Sequence, residues 1–149
     1  MLDKQMKPLA VKAHDLPRFF FYQVPQLLFY GKYIALLSNN ARLLYSIIWD
    51  KLRVAPARGW IDKEGFLFVR LGRKTAAFKL CIESHHTIQK CYEQLEAAGL
   101  IYRIRNGKTI VDDVYPLLPD DSQASKEAYE QQRIIEAEEE AAFEANPFV

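Results

Sequence analysis

Six residues near the middle of this chain carry side chains able to read the edge of a nucleic-acid base: Ser84, His85, His86, Thr87, Gln89 and Lys90. Glutamine can pair bidentately with adenine, lysine donates to guanine, and serine or threonine serves either a base or a phosphate. Groups suited to phosphate flank them, with Arg70, Arg73, Lys74 and Thr75 before and Arg103, Arg105 and Lys108 after. From Arg70 to Lys108 eight basic residues stand against three acidic ones, whereas a merely solvated face usually mixes its signs. Other chemistries lack their residues. Neighbouring histidines on a helix point about 100° apart, and no Cys, Asp or Glu completes a metal-ligand spacing around His85-His86. There is no GxSxG, P-loop or HExxH, and the pairs Asp112-Asp113 and Asp120-Asp121 fall in turns. The expectation is a non-enzymatic binder of double-stranded DNA that needs neither metal nor cofactor.

The elements that must position these groups follow from spacing. Ser84 is placed to cap a helix in which Ile88, Cys91, Tyr92, Leu95 and Ala98 recur at i, i+3, i+4, i+7 and i+10, one buried stripe. His86, Lys90 and Glu93 then face the opposite side, flanked by His85 and Gln89. Gly99 suits the left-handed position after the last turn. Residues 73–80 predict a shorter helix with Ala77, Phe78 and Leu80 inward, so that two helices are joined by a turn of about three residues. After Gly99, strands at 100–105 and 108–111 are expected around an Asn106-Gly107 turn, with Arg103 and Arg105 on one face. The helix alone reads more readily as a plain surface face of a core helix. The basic hairpin that follows tips the reading to a recognition helix with a phosphate-gripping wing.

Elsewhere, residues 1–18 read as a polar arm broken by Pro8 and Pro17, and residues 19–24 as an aromatic, β-prone run before a short helix ending near Phe29. A helix over 39–53, capped by Ser38 or Asn39, places Leu43, Leu44, Ile47, Ile48 and Leu52 inward with Tyr45 and Trp49, and Arg42, Asp50 and Lys51 outward. Residues 54–59 read as a loop, and 59–69 as two strand pieces around Asp62–Gly65. These parts form an α+β winged helix-turn-helix over 19–118, followed by an acidic, helical tail over 119–149. The net charge of +1 conceals a split: 18 basic against 10 acidic residues up to position 118, and 2 against 9 after it. The tail reads as a solvated helix, or as a shield for the basic face or a partner's dock. Cys81 and Cys91 read as buried thiols in a reducing cytoplasm. No apolar run approaches the roughly 20 residues of a membrane span, and the N-terminus does not read as a signal peptide.

Several blocks together resemble a known family. Phe21-Tyr-Gln-Val-Pro25, Leu37-Ser with Ala41-Arg-Leu-Leu-Tyr45, Gly59-Trp-Ile-Asp with Gly65, and Ser84 and Thr87 with Leu95-Glu and Ala98-Gly-Leu-Ile101 resemble the N-terminal domain of RepA-type plasmid replication initiators. The resemblance covers about residues 19–111. It implies a winged helix that binds repeated origin sequences as a dimer, on plasmids and related elements of low-GC Gram-positive bacteria. It also implies that the matching helix enters the major groove through Ser84, Thr87 and Lys90. Family wings are often longer than one turning at Asn106-Gly107, and the family's first helix usually carries acids where this chain has Arg73 and Lys74. Family initiators continue into a second domain that engages host replication proteins; with Val149 last, the expectation is a short form that binds DNA without initiating. A transcriptional repressor, perhaps of its own operon, and a protein-interaction winged helix are the other readings.

Overall fold

The computed structural model describes residues 4–12, 21–108, 110–146 and 148. Phe19 and Phe20, half of the expected arm (1–3 and 13–18) and Thr109 lie outside them. Within the described residues, α1 (Tyr33–Leu36), α2 (Asn39–Lys51), α3 (Ala55–Arg58), α4 (Arg73–Lys79) and α5 (His85–Ala97) precede β1 (Ile101–Ile104) and β2 (Asp113–Pro116), and α6 (Gln123–Ala145) follows. No helix among the described residues is long and apolar enough to cross a membrane.

The core forms where the inward stripe of α5 meets α2. Ile88, Cys91, Tyr92, Leu95 and Ala98 are all buried, against Leu44, Tyr45, Ile47 and Ile48. Full burial of one such side chain is worth about 1.5–3 kcal/mol, so this stripe fixes which face of α5 remains outside. Both helices start on a serine. The Ser38 hydroxyl accepts from Ala41 N–H at 3.2 Å and the Ser84 hydroxyl accepts from Thr87 N–H at 3.3 Å. Gln94 ties them together, its Oε1 accepting from the Ser38 N–H at 2.9 Å and hydroxyl at 2.8 Å.

Two expectations for α2 change. Leu43 is exposed, while Arg42 is buried, donating from Nε to the Leu28 carbonyl at 2.9 Å and from Nη1 to Asn39 at 3.0 Å. The segment ending in the short 3-10 turn Gln26–Phe29 packs over that side of α2 and needs its carbonyls satisfied, which a guanidinium can do. Residues 54–59 are not a loop: the 3-10 turn Leu52–Val54 leads into α3, which ends at Gly59 in the left-handed conformation (φ +72°). The run at 21–24 forms no strand.

Beyond α3, an antiparallel bridge pairs Ile61 with Leu67 around a turn whose Asp62 carboxylate accepts from the backbone N–H groups of Glu64 and Phe66, both at 2.9 Å. Val69 exchanges two backbone hydrogen bonds with Val114, at 2.8 and 2.9 Å, and so adds a third row to the β1–β2 pair. The register is Ile101↔Pro116 through Ile104↔Asp113. The wing loop therefore runs from Arg105 to Asp112, and Asn106-Gly107 is not a two-residue turn. The reason lies in burial: Val114 enters the core at 1% exposure, whereas Ile110 and Val111 stay exposed and have nothing to pair for. Asn106 Nδ2 donates to the Val111 carbonyl at 3.0 Å across this longer loop.

After β2, Asp120 anchors the tail. Its carboxylate meets Lys32 Nζ at 2.9 Å and its backbone N–H donates to the Tyr33 hydroxyl at 2.7 Å. The Tyr129 ring stands edge-on to Tyr30 at 5.0 Å and its hydroxyl donates to Gln26 at 3.0 Å. From Glu130 to Ala145 every residue of α6 is exposed.

Candidate nucleic-acid interface

The two helices of the helix-turn-helix, α4 and α5, are joined by a turn in which Cys81 adopts the left-handed conformation (φ +55°), and Cys81 is exposed rather than buried. That turn lets α5 start with its first turn facing outward. Ser84, His85, His86 and Lys90 are exposed there, with Thr87 half-buried beside them. Gln89 is half-buried and turned along the helix, donating to Glu93 at 3.2 Å. The Ser84 hydroxyl, occupied as an acceptor by the cap, keeps its proton for another partner. One face of α5 is thus committed to the core. The other carries the polar groups singled out above.

The flanking cations divide. Lys74, Thr75, Arg105 and Lys108 are exposed, and none of the three cations among them makes an ion pair among the described residues. Arg70 Nε lies 2.7 Å from Asp113 Oδ1, and Arg73 lies 3.9 Å from Asp112, although both side chains keep a third or more of their surface. Arg103 departs from expectation altogether. It does not share a face with Arg105, because β1 ends at Ile104 and Arg103 sits on the inward side with Ile101. Its side chain is 1% exposed; its guanidinium donates to Glu96, with Nε at 2.9 Å, and lies over the Tyr92 ring at 4.9 Å. Arg103 cannot reach a phosphate without leaving the core. It locks the wing to α5. The Tyr92 hydroxyl beneath it is pushed up to about 12, by burial first, with Arg103 pulling the other way.

Phe78, expected inward, is 84% exposed on α4, and Ala76 takes the buried position instead. Spacing alone did not separate these neighbours, since Ala76, Ala77 and Phe78 form a continuous apolar run. Lys79 was also missed: its Nζ donates to the Tyr22 hydroxyl at 3.0 Å and stands 5.7 Å from that ring. Its signal was the basic count from Arg70 to Lys108. Asp112 and Asp113, expected only as turn residues, are the counter-ions of the wing root.

A family model described as the N-terminus of replication initiator protein A (RepA) matches residues 20–129. Among solved structures, an N-terminal domain of a DNA-binding protein superposes with a TM-score of 0.68 at 21% identity, covering 83% of this chain and 94% of that one. A structure of a Rep–DNA complex superposes at 0.69 with 20% identity over 83% and 95%, and an MDR initiator at 0.67 with 22% identity over 83% and 98%. At such identities the likeness is one of fold, and the fold is a winged helix-turn-helix carrying a C-terminal helix. No curated protein sequence matches the chain.

Proposed function

The chain belongs to the family of replication initiator protein A N-termini, and from that premise we propose that it binds double-stranded DNA in a sequence-specific way, at origin repeats of a plasmid or mobile element. In this reading it acts in the bacterial cytoplasm as a homodimer, and the occupied repeats mark where host replication proteins assemble. The observation that carries the proposal is the outer face of α5. Ser84, His85, His86, Thr87 and Lys90 stand together there, clear of the core, with Arg105 and Lys108 exposed on the adjoining wing and without an ion pair among the described residues. The Rep–DNA complex of the same fold supports DNA as the ligand.

The mechanism divides between the two groups of residues. Lys90, with Ser84 and Thr87, reads base edges in the major groove, while Arg105, Lys108 and Lys74 neutralise phosphates on either side. Arg70 and Arg73 are a second tier, since each must share its charge with Asp113 or Asp112. Gln89 contributes only after releasing Glu93.

Selection of bound duplexes from a random pool, followed by affinity measured across a salt series, tests this. The selected motif is expected as tandem repeats in the DNA beside the gene; a single palindrome over a promoter would instead make the protein a repressor. Lys90→Ala should flatten the base preference. Arg105→Ala should weaken all sequences alike and lower the log-affinity against log-salt slope by about one. An unchanged slope removes the wing from the interface, and no duplex binding at low salt by the folded protein overturns the reading.

A further inference from the structure

Helix α6 projects a face that nothing among the described residues covers. From Glu130 onward it is exposed on all sides, and Ile134 and Ile135 are 56% and 55% exposed. At 100° per residue, Ile134, Ala137, Ala141 and Ala145 fall on one stripe with Ile135 and Ala142 along its border. Glutamates crowd the rest. Glu136, Glu140 and Glu144 form a row at i, i+4 and i+8, so successive carboxylates rise by about 6 Å, with Glu139 on its flank and Glu138 at the edge of the apolar stripe. After Arg133 no basic residue occurs in the helix.

Two identical helices of this kind repel, since their apolar stripes can meet only by bringing like charges together. The surface of opposite sign is the face of α5 and the wing, where Lys90, Arg105, Lys108 and Lys74 lack carboxylate partners among the described residues. In this structure α6 does not lie on its own chain's basic face, because residues 130–145 remain exposed. Its start is held by Tyr30, Gln26 and Lys32, and folding it back would break a continuous helix.

We infer that the free part of α6 docks on the basic α5–wing face of a second copy of this chain, its carboxylate row taking the place of DNA phosphates. The patch and its receptor are different surfaces, so the contact is head-to-tail and leaves one of each open at the ends of an assembly. Such association does not stop at a dimer unless it closes into a ring. Duplex DNA competes for the same cations, so the assembly would be a DNA-free state dissolved by binding. That competition rests on the function proposed above; the docking itself does not.

The test is sedimentation velocity of the full chain at low salt, with two variants that alter exposed residues: E136Q/E140Q/E144Q, and K90E/R105E, each checked for retained helix by circular dichroism. The wild-type protein is expected to associate with rising concentration, to lose this as salt shortens the Debye length, and to be dispersed by a short duplex. Each variant alone should lose the association made through α6, and an equimolar mixture of the two should form a larger species than either alone, because one retains the face and the other the helix. A wild-type protein whose association is no greater or more salt-sensitive than that of E136Q/E140Q/E144Q, or a mixture that sediments as the two variants do separately, overturns the docking. Duplex binding without the assembly sinks the docking alone, and assembly without duplex binding sinks the DNA reading alone.

Discussion

At the root of the wing Arg70, Arg73 and Arg103 each face a carboxylate, whereas at its tip and along the outer side of α5 the cations Arg105, Lys108 and Lys90 face none among the described residues. The two groups are indistinguishable in a count of basic residues. What separates them is where the backbone puts Asp112, Asp113 and Glu96. Once β2 begins at Asp113, the two aspartates arrive beside Arg70 and Arg73, and Arg103 turns inward to Glu96. A cation already neutralised at short range offers less to a phosphate and releases fewer counterions when DNA arrives. The root holds the wing in place, and the tip is left to bind.

The contrast is broken most severely at Arg103. Arg103→Ala should destabilise the fold by roughly 2–4 kcal/mol, somewhat under the cost of breaking a wholly buried pair because Glu96 keeps a third of its surface. Urea unfolding measures this, and a loss below about 1 kcal/mol would mean that the root pair does not hold the wing. Arg70→Ala should cost less than about 1 kcal/mol, since the Arg70–Asp113 pair is largely solvated on the arginine side. Its effect on the salt slope of DNA binding should be smaller than that of Arg105→Ala; the reverse order would erase the distinction between root and tip. Arg105→Ala and Lys108→Ala should leave stability within about 0.5 kcal/mol of the wild type by the same measurement.

Much of this was legible because the signals were periodic or positional. The α5 stripe, both serine caps and the left-handed Gly99 follow from local rules, and the structure places each as expected. The misreadings share a different cause. Alternation puts Arg103 on a face with Arg105, but it gives two faces and does not say which one meets α5. The inward position went to arginine because Glu96 and the Tyr92 ring were there to receive it, a contact only the tertiary fold reveals. Asn106-Gly107 carried a strong turn signature, and it was overridden by Val114, whose burial and pairing with Val69 moved the second strand five residues along. The exposure of Phe78 and burial of Arg42 have the same character: each depends on what packs above the helix, not on the helix itself.

The smallest expected effect concerns Asp120, the carboxylate at the start of the tail. Asp120 is held well below the ordinary carboxylate range, at about 2, chiefly by its hydrogen bond with Lys32 and then by the Ser122 backbone N–H. A depressed carboxylate favours the folded arrangement above its unfolded pKa of about 4, and that contribution is lost as pH falls through about 2. Because the pair is exposed, the loss should loosen the start of α6 without unfolding the α2–α5 core. Carboxyl-carbon NMR should show Asp120 titrating near 2, and Lys32→Ala should move that midpoint up toward the ordinary range. If Asp120 titrates near 4 in the wild-type protein, the Lys32 pair does not form in solution. The tail then keeps Tyr129 against Tyr30 and Gln26 and the Asp120 N–H on the Tyr33 hydroxyl, and the wing root and the tail anchor cease to be alike in using a fixed ion pair.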